Sequence, residues 1–86
     1  MNPEDIIIAP IITESVLEQI ERDNKLVFLV QRSSNRKVIK WAIEKMYNVK
    51  VQKVNTMITV NGKKKAFVRL APSSNAGEIA TQLGIF

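Results

Sequence analysis

Lysine and arginine are the residues of this sequence whose types and spacing could do chemistry, and that chemistry is the binding of a polyanion. Three lysines, Lys63 to Lys65, follow the dipeptide Asn61-Gly62. Asn-Gly between two alternating apolar segments predicts a tight β-hairpin turn in which both residues have positive φ. Adjacent like charges stabilise a turn poorly but suit contact with phosphate. Lysines also protect sheet edges from aggregation, but we favour binding, with Arg69 in the same site.

A second basic cluster opens the longest predicted helix. Arg36, Lys37 and Lys40 crowd its first half, where cations oppose the helix dipole by a few tenths of a kcal/mol each. A charged helix surface is usually only solvated, yet two basic clusters in one small domain support each other. Trp41 borders the apolar stripe, and we predict that it packs partly on the core and leaves a rim to touch RNA.

Several chemistries are excluded by composition. The 86 residues include no histidine and no cysteine, which rules out imidazole bases, serine triads and thiolate zinc sites. Glu14, Glu18 and Glu21 share one helix face but lack a second acidic cluster, so we interpret them as a solvated surface. We predict no enzyme activity, cofactor, metal or small-molecule substrate. No long apolar run occurs, and we expect neither a signal peptide nor membrane insertion.

Charge is divided unevenly along the chain. Residues 1–23 contain six acids and one arginine, a net charge of −5, whereas residues 24–86 contain twelve Lys and Arg and two acids, a net charge of +10. A basic surface with an acidic sector predicts one face for nucleic acid and another directed away from it.

The hydrophobic pattern predicts the elements that must position these residues. We expect strands at 5–9, 25–32, 49–60 and 66–70, a β-bulge at 52–53, and helices at 14–22, 36–47 and 76–83. Strand 25–32 is apolar on both faces and should be central, and Phe67 should pack under a helix. The order predicts one domain, 1–86, of the α+β class, with a four-stranded, mainly antiparallel sheet, a split β-α-β unit and helices packed on the sheet.

Four motifs resemble the L-twenty-three family of large-subunit ribosomal proteins. They are Ala9-Pro10-Ile11-Ile12-Thr13-Glu14, Asn35 with Lys37 to Lys40, Val54-Asn55-Thr56, and Lys64 to Ala71 followed by Ile79. Together they span nearly the whole chain. The short hairpin at Asn61-Gly62 and the lack of a long segment before the first motif are similar to archaeal members of the family.

The resemblance implies a structural protein of the cytoplasmic ribosome. It implies binding to large-subunit ribosomal RNA near the exit of the polypeptide tunnel, beside neighbouring ribosomal proteins. There the family also forms a docking platform for the signal recognition particle and the translocon, which we assign to Ile12 and Glu14. The residues expected to bind RNA are Asn35, Arg36, Lys37, Lys40, Trp41, Lys53, Asn55, Thr56, Lys63, Lys64, Lys65 and Arg69.

This sequence departs from the family pattern at two positions. Ser15 stands where the family usually has a lysine that contacts RNA. Asn48 stands where an acid is common on the docking side.

Two other classes compete with this interpretation. An RNA-recognition module of the RRM kind also has a four-stranded sheet, but its third-strand motif needs two stacking aromatics, and this chain offers only Phe67. A protein–protein adaptor without an RNA role would explain the acidic helix but not the basic remainder of the chain.

Overall fold

A four-stranded antiparallel sheet organises the protein, whose computed structural model describes residues 2–84. In chain order the elements are α1 (Pro3–Ile6), β1 (Ile7–Pro10), α2 (Glu14–Asp23), β2 (Lys25–Val30), α3 (Arg36–Tyr47), β3 (Val51–Ile58), β4 (Lys64–Leu70) and α4 (Ala76–Gln82). The strand order is β1-β2-β4-β3. Because β4 pairs antiparallel with both β2 and β3, those two strands run parallel, joined by α3. The predicted α+β fold with a split β-α-β unit is confirmed.

Strand β2 is buried on both of its faces, as its apolar pattern predicts. Phe28 is fully buried on one face, and its ring stacks on Tyr47 of α3 with centroids 6.0 Å apart. Val27, which points to the opposite face, is only 2% exposed. The face of Phe28 is therefore the one covered by α3. The helices pack as two pairs, α1 with α3 and α2 with α4.

Each of the three longer helices begins at the residue that the sequence predicts. The side chain of Thr13 accepts a hydrogen bond from the amide of Val16 at 3.2 Å. Asn35 and Asn75 cap α3 and α4 in the same way. Short polar side chains satisfy amides that have no partner within the helix, so these starts can be read from local sequence.

Asn24 links three elements at one end of the sheet. It ends α2 in the left-handed conformation, with φ 55° and ψ 40°. Its amide nitrogen donates to the carbonyls of Leu70, Ala71 and Ser74, and its Oδ1 accepts from the amide of Ala76 at 2.7 Å. One side chain thus joins the end of α2 to the end of β4 and the start of α4.

The prediction of a strand over residues 5–9 is wrong in its first half. Residues 3–6 form the single turn α1, and the edge strand β1 starts at Ile7. Pro3 fixes φ at a helical value at the first helical position, and Ile6 is buried at the end of the turn with 1% exposure. Burial of Ile6 therefore outweighs its preference for a strand.

The β3–β4 hairpin is closed by a different turn from the predicted one. The amide of Gly62 donates to the carbonyl of Thr59, and the amide of Thr59 donates to the carbonyl of Lys63. Gly62 has φ +78°, but Asn61 is not left-handed. These bonds define a three-residue loop with a glycine bulge, whose tip is Val60 to Gly62. The predicted bulge in β3 is confirmed, since the register shifts between Val51 and Lys53.

Candidate nucleic-acid interface

The basic side of α3 faces edge strand β3 across a shallow groove, here called the α3–β3 groove. It is lined by Arg36, Lys37, Lys40, Gln52, Lys53 and Val54. The four cations in this set are all exposed, and no carboxylate of the described residues lines the groove. Converging like charges raise the positive potential between helix and strand, so a polyanion fits this groove.

Burial of the opposite side of α3 fixes this orientation. Ile39, Ala42 and Ile43 are fully buried and hold one face of the helix on the sheet. The helix is also tied to the start of β3, because the Oε2 of Glu44 accepts a hydrogen bond from the amide of Val51 at 3.0 Å. The cations are consequently held beside β3 by the core.

Trp41 lies on the surface of α3 and is 39% exposed. An accessible rim agrees with the sequence prediction, but the predicted packing on the core is not seen, because Trp41 is not among the partly buried side chains that contact the core cluster. Trp41 follows Lys37 by one helical turn, so the two side chains are neighbours on the helix surface. A flat ring beside cations could stack on an unpaired base.

Among the predicted RNA-binding residues, Asn35 has a structural role and Thr56 is only partly accessible. The Oδ1 of Asn35 accepts from the amide of Val38 at 2.9 Å, which leaves its amide group free at the exposed start of α3. Thr56 is half-buried opposite Ala66, on the face that α3 covers. Asn55, in contrast, is exposed on the other face of β3.

The three consecutive lysines do not form a single exposed tip, which corrects the sequence interpretation. Only Lys63, which lies between the turn and β4, is exposed. Lys64 and Lys65 are half-buried in β4, where successive side chains point to opposite faces. The ammonium of Lys64 donates to the carbonyl of Ser34, a residue 6% exposed just before α3. Lys64 therefore ties β4 to the loop before α3.

A row of three cations crosses the sheet on the face opposite α3. Arg69 of β4 is paired in register with Lys25 of β2 on one side and with Lys53 of β3 on the other. We call these residues the cation row. Lys25 was not among the residues predicted to bind RNA, because its position beside Arg69 depends on strand pairing that the sequence does not show.

Phe67 lies on the same face as the cation row, between Val27 and Asn55. It is half-buried and packs against the core. The only other aromatic residue of the described strands, Phe28, is buried on the face of α3. The sheet therefore lacks the pair of stacking aromatics that an RRM uses.

Ile12 and Glu14 lie at the start of α2. Ile12 is 53% exposed, and Glu14 is exposed in the first turn, where the helix dipole favours an acid. Glu18 and Glu21 are also exposed on this helix. An accessible apolar side chain thus stands beside an acidic helix surface.

The two residues that depart from the family pattern, Asn48 and Ser15, lie at the end of α3 and on α2 respectively. Asn48 ends α3 in the left-handed conformation with φ 54°, which asparagine tolerates better than most residues. Its side chain type is thus explained by the helix end. Ser15 is exposed on α2 and makes no contact that explains its type.

Within residues 2–84, no group of three or more His, Cys, Asp or Glu side chains could hold a metal ion. None of the helices in this part of the chain has the length and apolar character needed to cross a membrane.

Fold and charge together define a small basic α+β protein with cations on both sides of an edge strand. The sequence profile described as Ribosomal protein L23 matches residues 5–76. The chain is 44% identical to the large ribosomal subunit protein uL23 of the archaeon Methanococcus vannielii over 86 residues, which are the whole of both chains. The chain therefore belongs to the ribosomal protein L23 family.

Membership confirms the resemblance, and the full-length match to an archaeal protein agrees with the archaeal type. The family consists of structural proteins of the large ribosomal subunit and not of enzymes, so this protein is a ribosomal protein of the cytoplasm.

Proposed function

We propose that this protein binds large-subunit ribosomal RNA and that the α3–β3 groove is its main contact. The observation that carries the proposal is the convergence of Arg36, Lys37, Lys40 and Lys53 on one groove without a neutralising carboxylate. A solvated helix surface would not require a facing cation on an edge strand. Lys63 and Asn55, which are exposed on the hairpin, and Lys65, which is half-buried there, are further proposed contacts outside the groove.

The same proposal places the protein beside the exit of the polypeptide tunnel. Neighbouring ribosomal proteins would contact it there, and the signal recognition particle and the translocon would dock on Ile12 and Glu14. What supports this part is the exposure of Glu14 in the first turn of α2 and of Ile12 just before that helix, whose acidic surface would repel phosphate.

Salt dependence tests the RNA contact. If roughly four to six phosphates are neutralised, log K for large-subunit rRNA should fall against log salt with a slope of about −3 to −5. The double variant Arg36→Gln with Lys40→Gln should make the slope shallower by about 1.5.

A matched control removes the same charge elsewhere. Lys45 and Lys50 are exposed and lie outside the groove, so Lys45→Gln with Lys50→Gln should keep the slope of the unmodified protein. A flat salt response of the unmodified protein would contradict RNA binding. Equal slopes for both double variants would remove the groove from the site.

A further inference from the structure

The cation row is costly for the isolated protein. Residues directly opposite each other on neighbouring strands have Cβ atoms about 4.5–5.5 Å apart, and like charges in such pairs are destabilising. Arg69 meets a like charge on both sides, in Lys25 and in Lys53. Two unfavourable pairs in one row are not what stability alone would select.

The nearest acid compensates the row only in part. Asp23 lies beside it, and Arg22, Lys25 and Arg69 all lower the pKa of the Asp23 carboxyl. That carboxylate is engaged by Arg22, whose guanidinium lies 3.0 Å from it, and this is the only ion pair among residues 2–84. Lys25, Lys53 and Arg69 therefore have no carboxylate within ion-pair distance in that part of the chain.

We propose that the cation row is a second binding site for backbone phosphates, separate from the α3–β3 groove. The proposal rests on the proposed RNA-binding function and adds a second contact to it. Neighbouring strands lie about 4.8 Å apart, so the row spans about 10 Å across the sheet. A row of this length can contact consecutive phosphates of one RNA strand.

The position of the row requires a second RNA segment. Leu26, Val54 and Val68, the neighbours of the row along their strands, are buried on the face of α3, so the row itself projects from the opposite face. The groove opens on the side of α3. Of the three row residues, only Lys53, on edge strand β3, also lines the groove. The RNA therefore meets the protein on both sides of β3, and the protein holds two RNA segments together.

Hydroxyl-radical footprinting of protein-free large-subunit rRNA from the same organism tests this arrangement. The row variant is Lys25→Gln with Arg69→Gln, and the groove variant is Arg36→Gln with Lys40→Gln; both keep the shared Lys53. Each should lose backbone protection at a different set of nucleotides. The row variant should also show a salt slope shallower by about 1.5. Its urea midpoint should be unchanged or higher, because like-charge pairs are removed.

The possible outcomes separate the two proposals. A row variant with an unchanged footprint and slope, beside a weakened groove variant, would overturn the second site and leave the proposed function intact. Loss of the same nucleotides in both variants would mean one RNA segment and would overturn the bridging. If neither variant changes binding, the proposed function itself fails.

Discussion

At the scale of single residues, the neighbouring lysines Lys63 and Lys64 have different roles. Lys64→Ala would leave the buried carbonyl of Ser34 without its ammonium partner. An unpaired buried acceptor costs about 1–3 kcal/mol, so the free energy of unfolding in urea should fall by that amount. Lys63→Ala should leave stability within about 0.5 kcal/mol, because Lys63 is exposed between the turn and β4.

The effects on RNA affinity should follow the opposite order to the effects on stability. Lys63→Ala should weaken binding to large-subunit rRNA more than Lys64→Ala does, when both are measured well below their unfolding transitions. Equal stability of the two single variants would show that the bond from Lys64 to Ser34 contributes nothing.

The sequence predicts residue roles where they depend on near neighbours. The caps Thr13, Asn35 and Asn75 bond to amides two or three positions on, so composition and spacing reveal them. The role of Asn24 depends on carbonyls some 46–50 positions away, so the residues around it in the sequence do not reveal it. For the same reason, Lys25 was missed and Lys64 was wrongly placed in an exposed tip.

At the scale of elements, the cations in the first turn of α3 lower the stability of the helix. Its first turn contains Arg36 and Lys37 and no acid. Lys37→Glu should raise the free energy of unfolding by about 0.3–1 kcal/mol, because an acid near a helix N-terminus is favourable. The same change should weaken RNA binding, since it places a negative charge in the α3–β3 groove.

Lys45→Glu is the matched control on the same helix. Lys45 lies in the last turn, where a cation is favourable, so its reversal should lower stability by a similar amount. RNA affinity should change far less than in Lys37→Glu, because Lys45 is outside the groove. A Lys37→Glu protein that is more stable and binds RNA equally well would show that the charge of Lys37 has no role in binding.

The elements themselves were largely predictable, and the exceptions have local causes. The three longer helices and all four strands follow apolar periodicity. The hairpin turn differs from the predicted type because Thr59 bonds around the loop, its Oγ1 contacting Asn61 Oδ1 and the carbonyl of Lys63. The basic groove was not predictable as a groove, because only packing brings α3 beside Gln52 and Lys53.

At the scale of the whole molecule, charge separates two kinds of surface. Helix α2 presents Glu14, Glu18 and Glu21 to solvent, whereas the α3–β3 groove and the cation row present cations. If the protein binds rRNA as proposed, long-range repulsion would direct the acidic helix away from RNA phosphates and so orient the protein on a polyanionic particle. In that orientation the acidic helix would be accessible to protein partners.

Charge reversal at the start of α2 tests that division. Glu14→Lys should leave assembly into the large subunit intact, because Glu14 is exposed and is not part of either basic site. It should weaken recruitment of the signal recognition particle to the assembled ribosome, since a partner cation would then meet a cation.

Glu21→Lys makes the same change of charge in the second half of the same helix and serves as the control. Recruitment measured by co-sedimentation should fall for Glu14→Lys and for Ile12→Ser, which removes the adjoining apolar contact. Normal recruitment by both variant ribosomes would show that the start of α2 is not the docking surface, whereas equal loss in Glu21→Lys would assign the effect to the charge of the whole helix.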